Sequence, residues 1–416
     1  MAFWRGVSML ASLWLVACAG SSLHEAPVET RGSAVPAASF PSPVPSPLPV
    51  PPPLPARTGT PADPVFAPMP AAIERPASRW VSASWDELPG LHDDALEHAV
   101  PAWTRSCERP AGVWRRPCEQ LRALARQAVP DRGALLGWMR AHLQPYRVLA
   151  RDESARLQGT AGSGLLTAYY EPEMSAMRER RASHAVPLYR APADLAQRKP
   201  WYTREQIDTL PAAQAALRGR EIAWMADPLD ALVLQIQGSG RLRITEADGS
   251  QRLVRLSFAG SNEHPYRSVG AWLLQQGLVR DASWPGIKEW AQRNPHRVQE
   301  LLWTNPRYVF FREEPLADGA AAAGPRGAQG VPLTAGRSIA VDPQSIPYGT
   351  PVWLASDGPT LPLRRLVLAQ DTGAAITGAV RADYFIGSGA AAGEVAGRLK
   401  QPLALWVLWP RTAPPP

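Results

Sequence analysis

Residues 330–354 read GVPLTAGRSIAVDPQSIPYGTPVWL, and residues 364–385 read RRLVLAQDTGAAITGAVRADYF. Two short apolar runs, 337–341 and 366–369, each deliver the chain to an acidic residue, Asp342 and Asp371, followed by turn-forming Pro or Gly. A third run, 384–386, begins just after Asp383. Apolar runs of this length bounded by Gly and Pro read as buried strands rather than helices. Three aspartates at strand ends are therefore candidates for one shared groove.

Upstream, residues 241–244 and 254–257 alternate apolar and polar side chains across a turn holding Asp248-Gly249, which predicts a hairpin. The preceding ALVLQIQGSG, 231–240, reads as a strand with Gln235 and Gln237 on one face, and Gly238-Ser239-Gly240 lets a ligand approach the backbone closely. Amide side chains facing a groove suit a neutral polyhydroxylated ligand. Thr167-Ala168-Tyr169-Tyr170-Glu171 reads as a strand whose paired tyrosines beside a carboxylate either stack on a sugar or anchor a core. Helical spacing appears at 118–129 and 131–143, after Ser268, and after Asn294-Pro295, and Asp93 or Asp94 is expected to cap a helix carrying Leu96, Val100 and Trp103. Residues 305–312, NPRYVFFR, have the composition of a strand, and 318–330 reads as an Ala/Gly linker.

The 416 residues carry 19% charged and 45% hydrophobic side chains, which fits a globular class with more than one core. A net charge of +7 suits an anionic partner, yet no Lys/Arg run is interleaved with aromatics, so nucleic acid is disfavoured. Residues 1–18 hold one positive charge at Arg5, an apolar segment over 7–17 and then Cys18. That is the pattern of a lipoprotein signal peptide, and the apolar segment is short for a membrane span. Cys18 is the expected lipidated N-terminus, anchoring the chain in the outer membrane and facing the periplasm. Much of the excess of Pro falls in 19–79, a Pro-rich disordered linker holding the folded body, expected to begin near Trp80, away from its anchor. The remaining cysteines, Cys107 and Cys118, are a candidate disulfide in an oxidising compartment. No metal-ligand spacing is present, and no cofactor is expected.

Asp371-Thr372-Gly373 after an apolar run also occurs in aspartic peptidases, which need two such aspartates; with one DTG, that reading requires a dimer. Glycoside chemistry needs a carboxylic acid to protonate the leaving oxygen. Asp371 and Asp383 are joined by a Gly-rich turn, and an apolar shelf of Tyr384 and Phe385 with a charged Asp371 nearby would keep Asp383 protonated. Turn capping is the plainer role for such aspartates, and a glycan-binding module without catalysis is a further alternative.

Six blocks, TAYYEP (167–172), QIQGSGRL (235–242), FAGSNEHPYRSVG (258–270), NPRYVFF (305–311), the stretch 330–354 quoted at the outset and DTGAAITGAVRADYF (371–385), together resemble the membrane-bound lytic murein transglycosylase A family over 80–409. The resemblance implies a mainly β protein with helices. It has a double-psi β-barrel main domain built from 80–181 and 261–411, the latter carrying a three-aspartate domain, and an inserted smaller β-barrel domain at 182–260. It implies a monomeric lytic exotransglycosylase, a carbon–oxygen lyase acting on peptidoglycan glycan strands, with cell-wall synthases as possible partners. The bond cleaved would be the β-1,4 link between N-acetylmuramic acid and N-acetylglucosamine, leaving a 1,6-anhydromuramyl end. On the matching positions, Asp383 is the single acid/base, Asp371 supports it, and Thr167, Gln237, Gly238 and Ser239 contact sugar. Tyr169, Tyr170, Glu171, Gln235 and Gly240 are grouped with them along the groove, as is Asp342 in a mainly structural role. The chain departs from the family at Ala168, Ala374, Ala379 and Ala382, where Gly or Pro is usual.

Overall fold

The runs that lead to the three aspartates become neighbouring strands of one closed sheet. The computed structural model describes residues 69–126, 128–151, 163–316 and 323–413; Cys18, the signal peptide and most of the Pro-rich segment lie outside them. In chain order the described strands begin with β1 (Ala72–Glu74), β2 (Arg79–Ser82), β3 (Leu143–Leu149), β4 (Gly164–Glu171) and β5 (Glu173–Met177). They continue with β6 (Val186–Tyr189), β7 (Glu221–Met225), β8 (Ser239–Thr245), β9 (Gln251–Ser261) and β10 (Val309–Pro315). The last are β11 (Ser338–Val341), β12 (Pro351–Ser356), β13 (Leu363–Asp371), β14 (Arg381–Ser388) and β15 (Lys400–Pro410).

The first sheet runs β1-β2-β3-β15-β12-β13-β11-β14-β4, and β4 also pairs with β15. The last six strands therefore form a ring, the double-psi β-barrel, with β3, β2 and β1 added outside it along β15. The β11–β13 and β14–β4 ladders are parallel, and the other ladders of this sheet are antiparallel. All residues of β11 and β12 are buried, as expected of strands covered on both faces. Six tryptophans are buried in the same core, Trp80, Trp103, Trp114, Trp353, Trp406 and Trp409. The Trp80 and Trp409 rings lie 5.5 Å apart, a separation at which aromatic pairs attract. Cys107 and Cys118, both in this core, are disulfide-bonded.

The second sheet runs β10-β9-β8-β5-β7-β6, and the ring of Tyr189, at the end of one edge strand, lies 6.4 Å from that of Tyr308, just before the other. The predicted hairpin is β8–β9, with Arg241 opposite Arg255. This sheet recruits β5 and β10, so its strands reach beyond 182–260 at both ends.

Several local expectations need correction. Residues 228–237 are a helix, Pro228–Gln237, capped by the Asp227 side chain and ended by Gly238 at φ 74°. A helix buried along most of its length carries an apolar run just as a covered strand does, and the Pro at its first position was the distinguishing signal. Gln235 and Gln237 therefore do not share a strand face. The folded body also starts earlier than Trp80: β1 pairs with β2, Ile73 is buried, and the Ser78 hydroxyl donates to the Ser345 carbonyl. Asp94 caps no helix; its buried carboxylate takes two hydrogen bonds from Arg337, at 2.8 and 2.9 Å.

Candidate active site

Register places the aspartates. Ala340 on β11 pairs with Asp371 on β13 and with Asp383 on β14. The two carboxyl-bearing residues thus flank one strand at the same level, with backbones about 10 Å apart at the usual strand spacing. On the next ladder Asp383 pairs with Thr167 of β4, and Thr167 pairs with Lys400 of β15. The row Asp371, Ala340, Asp383, Thr167, Lys400 crosses five strands of the barrel. Asp383 is the third residue of β14, so its backbone is held by ladders on both sides.

The period of two then selects one face. Thr167 and Tyr169 of β4 sit beside Asp383 and Phe385 of β14, and the Tyr169 and Phe385 rings are 5.3 Å apart. Tyr384, expected on the apolar shelf, turns into the barrel core instead, and its hydroxyl donates to the Gly336 carbonyl at 2.8 Å. The apolar wall near the acid is Tyr169 with Phe385. β4 approaches β14 closely where this face begins: a Cβ on Gly164 would stand 1.9 Å from the Val380 carbonyl oxygen, so only glycine fits.

The Thr167 hydroxyl donates to Asp383 Oδ1, and Arg381 Nη2 donates to Thr167 Oγ1 at 2.8 Å. Burial pushes the Asp383 carboxyl above the ordinary aspartate range, while the Thr167 hydroxyl and the Arg381 charge hold it back. Asp371 accepts from the Tyr169 hydroxyl at 2.9 Å and from the Ala328 N–H at 2.9 Å. Burial raises it to about 6, opposed by the Thr372 and Ala328 N–H groups and by Tyr169, and reinforced by the charge of Asp383. The two carboxylates repel each other, so once one is ionised the other is held protonated more strongly. Both are half-buried, as suits groups that exchange protons with a ligand.

Asp371 makes stability depend on pH with a definite sign. An unfolded aspartate titrates near about 3.9, so between there and about 6 the folded chain holds a proton that the unfolded chain has lost. Folding is favoured below this window and weakens as pH rises through it. Urea unfolding midpoints of Asp371→Asn should fall less over that range than those of the wild type; parallel curves would contradict the assignment.

Other expected site residues lie elsewhere. Glu171 is fully buried, accepting from Arg255 Nε at 2.5 Å, Arg241 Nε at 2.8 Å and the Ser388 hydroxyl at 2.8 Å; with every direction filled, it presents nothing to a sugar. Gln235 is buried and accepts from Arg204 at 2.6 Å. Gly240 is enclosed, a Cβ there meeting Leu234 at 2.1 Å, and Ser239 is buried opposite Ser257. Gln237, beside Gly238, accepts from the Tyr170 N–H at 3.1 Å, and Tyr170 packs toward Gly393 on the face away from Asp383. Asp342 accepts from the Gln344 and Gly378 N–H groups, pinning the turn after β11 to the loop between β13 and β14. The methyls of Ala168, Ala379 and Ala382 pack on the barrel core and Ala374 is exposed, so none intrudes between the two aspartates.

Three contributors escaped the sequence reading. Ala328 lies in the stretch read as a linker, whose described part, 323–330, covers Phe385 and Asp371. Arg381 follows the alternation of β14, two residues before the acid. Tyr348, whose hydroxyl is raised by burial and by the charges of Asp371 and Asp342, comes from IPYGT, which reads only as a turn.

Residues 165–312 match the MltA specific insert domain and residues 337–409 match the 3D domain. Membrane-bound lytic murein transglycosylase A of Escherichia coli is 34% identical over 266 residues, covering 61% of this chain and 67% of the relative. The chain belongs to the membrane-bound lytic murein transglycosylase A family. Its fold is similar to that of the lytic transglycosylase LtgG of Burkholderia pseudomallei, with 41% identity, 83% of this chain and 99% of that one covered, and a TM-score of 0.52. It is also similar to Escherichia coli MltA with bound chitohexaose, at 26% identity, 86% and 100% coverage, and a TM-score of 0.58. The insert-domain match covers nearly all of β4 and ends within β10, so it takes in the second sheet up to the first part of β10, together with the strand that carries Thr167.

Proposed function

We propose that the protein is a lytic transglycosylase that cleaves the β-1,4 bond between N-acetylmuramic acid and N-acetylglucosamine in peptidoglycan, with Asp383 as the only proton-transfer group. The observation that carries this reading is the state of Asp383: a half-buried carboxyl on a strand held from both sides, its pKa raised by burial, beside an aromatic wall. Family membership and a relative that binds chitohexaose support a glycan in the adjoining groove.

In this mechanism the neutral Asp383 gives its proton to the glycosidic oxygen as the bond to the muramyl anomeric carbon breaks. The muramyl 6-hydroxyl attacks that carbon and returns its proton to Asp383, so the acid is regenerated and no water is consumed. A nucleophile carried by the substrate is already positioned, which removes the need for a second carboxylate to activate water. With a pKa of about 6, Asp371 is mostly ionised near neutral pH, and its charge across β11 stabilises positive charge developing on the sugar. Tyr169 supplies the aromatic surface beside the acid with the buried Phe385 packed against it, and Thr167 holds the acid. Gln237 and Gly238 form the neighbouring rim, where Gln237 acts through the Tyr170 backbone. The peptidase reading needs two equivalent DTG loops; here the second carboxyl comes from the same chain in a different setting.

The reading extends to location. The pattern ending at Cys18 supports a lipid anchor in the outer membrane with the body in the periplasm, acting as a monomer, and the relatives' description as membrane-bound agrees with an anchor. No helix among the described residues is long and apolar enough to cross a membrane. Digestion of purified sacculi followed by mass spectrometry tests the activity. Products one water lighter than hydrolysis products, resistant to borohydride reduction, are expected; reducible products would make the protein a hydrolase.

A further inference from the structure

The hydrogen bonds around Asp383 have a direction that follows from donor chemistry alone. A guanidinium has N–H donors and no acceptor, so Thr167 Oγ1 must accept from Arg381. A threonine hydroxyl has one proton, and with Arg381 on its acceptor side that proton goes to Asp383 Oδ1. Arg381 is fixed in turn by its other nitrogen, Nη1, which donates to the Ala382 carbonyl at 2.5 Å and to the Leu165 carbonyl at 3.4 Å. Those two carbonyls belong to β14 and β4, the strands that carry Asp383 and Thr167. The guanidinium thus spans the ladder beside the acid and is half-buried there.

We propose that Arg381 is a positioning residue for the acid: by donating to Thr167 it fixes the direction of the Thr167 hydroxyl, keeps Asp383 Oδ1 an acceptor and places the transferable proton on Oδ2. This rests on the reading of Asp383 as the proton donor. Without Arg381 the Thr167 hydroxyl can accept from a protonated Oδ1 as readily as donate to it, and the proton is then shared between a productive and an unproductive oxygen. The same guanidinium lowers the cost of the carboxylate form that exists between bond cleavage and proton return. The charged and titratable groups around Asp383 are Arg381 on its own strand, Tyr169 on β4, Asp371 across β11, and Lys400, exposed, in register with Thr167 on β15. Asp342 and Tyr348 lie beyond Asp371. Of these, Arg381 is the cation that acts on Asp383 directly.

The test combines a titration with kinetics in Arg381→Met, Arg381→Lys, Thr167→Val and the Met/Val double variant. The midpoint of Asp383, followed by carboxyl-carbon NMR in the free protein, should rise by about one unit in Arg381→Met, the low end for loss of a neighbouring opposite charge. Because the acid must be protonated at the outset, the alkaline limb of kcat on purified glycan strands should move up by the same amount. At its optimum kcat should fall about tenfold with KM unchanged, short of the about 10²- to 10⁴-fold expected for loss of the acid itself. Arg381→Lys keeps a donor and a charge and should recover part of both effects, which a merely structural role at a half-buried position would not show. The loss in the double variant should be well short of the product of the two single losses, because part of the Arg381 effect passes through that hydroxyl. An unmoved midpoint in folded Arg381→Met, or losses that multiply in the double variant, would overturn the proposal. If Asp383→Asn kept full turnover, the acid reading itself would fail, whereas the NMR midpoint would still report whether Arg381 governs Asp383.

Discussion

Asp383→Asn should bind glycan strands about as well as the wild type and turn them over at least about 10³-fold more slowly. General acid–base groups commonly contribute between about 10² and 10⁴ in rate. Here one carboxyl serves both as acid in bond cleavage and as base in ring closure, so its loss falls on both steps. A thousandfold loss corresponds to about 4 kcal/mol of transition-state stabilisation. Asparagine keeps the shape and can still accept from the Thr167 hydroxyl at its carbonyl oxygen, so the strand, the Tyr169–Phe385 wall and the neighbouring Asp371 should stay in place. Retained binding with lost turnover, read by sacculus pull-down beside product release, separates catalysis from a binding module. Equal turnover would leave Asp371 as the group to examine.

Glu171→Ala should destabilise the folded protein by about 3 to 5 kcal/mol, the range for breaking a buried ion pair from one side. Glu171 ends β4 and lies between Arg241 of β8, Arg255 of β9 and Ser388 of β14, so one carboxylate joins the barrel to the second sheet. Arg255 also donates to the Ala323 carbonyl at 2.7 Å, which ties in the segment leading to Ala328 and Asp371. Removing the carboxylate leaves the positive charge of a buried Arg255 without its partner. Glu171→Gln keeps the shape and one acceptor and should be milder. Urea unfolding should show a lower midpoint at an unchanged slope. Near wild-type stability in Glu171→Ala would show that water or a rearranged side chain replaces the carboxylate.

The barrel was legible where burial and strand length coincide. Residues 338–341, 366–369 and 384–386 all lie in barrel strands, because covered strands need continuous apolar runs and their Gly and Pro boundaries are explicit. The hairpin of β8 and β9 was legible from its alternation and its Asp-Gly turn. The helix Pro228–Gln237 was not, since an apolar run without alternation fits a buried helix as well as a buried strand. The pairing of Asp371 with Asp383 across Ala340 is a matter of register between strands distant in sequence, and only closure of the barrel sets it. Glu171 shows the reverse case: a carboxylate beside two tyrosines reads in sequence as a sugar contact until three donors are seen to fill it. Arg381 was invisible because its importance lies in donating to a hydroxyl on another strand.

The central claim is that the substrate's own hydroxyl, not water, displaces the leaving sugar under the control of Asp383. Digesting purified glycan strands in water enriched in oxygen-18 and weighing the muramyl ends tests it most directly. Ends free of label and one water short of a reducing sugar are the predicted result. A heavy oxygen on the muramyl anomeric carbon would contradict the account, because it would show water as the nucleophile.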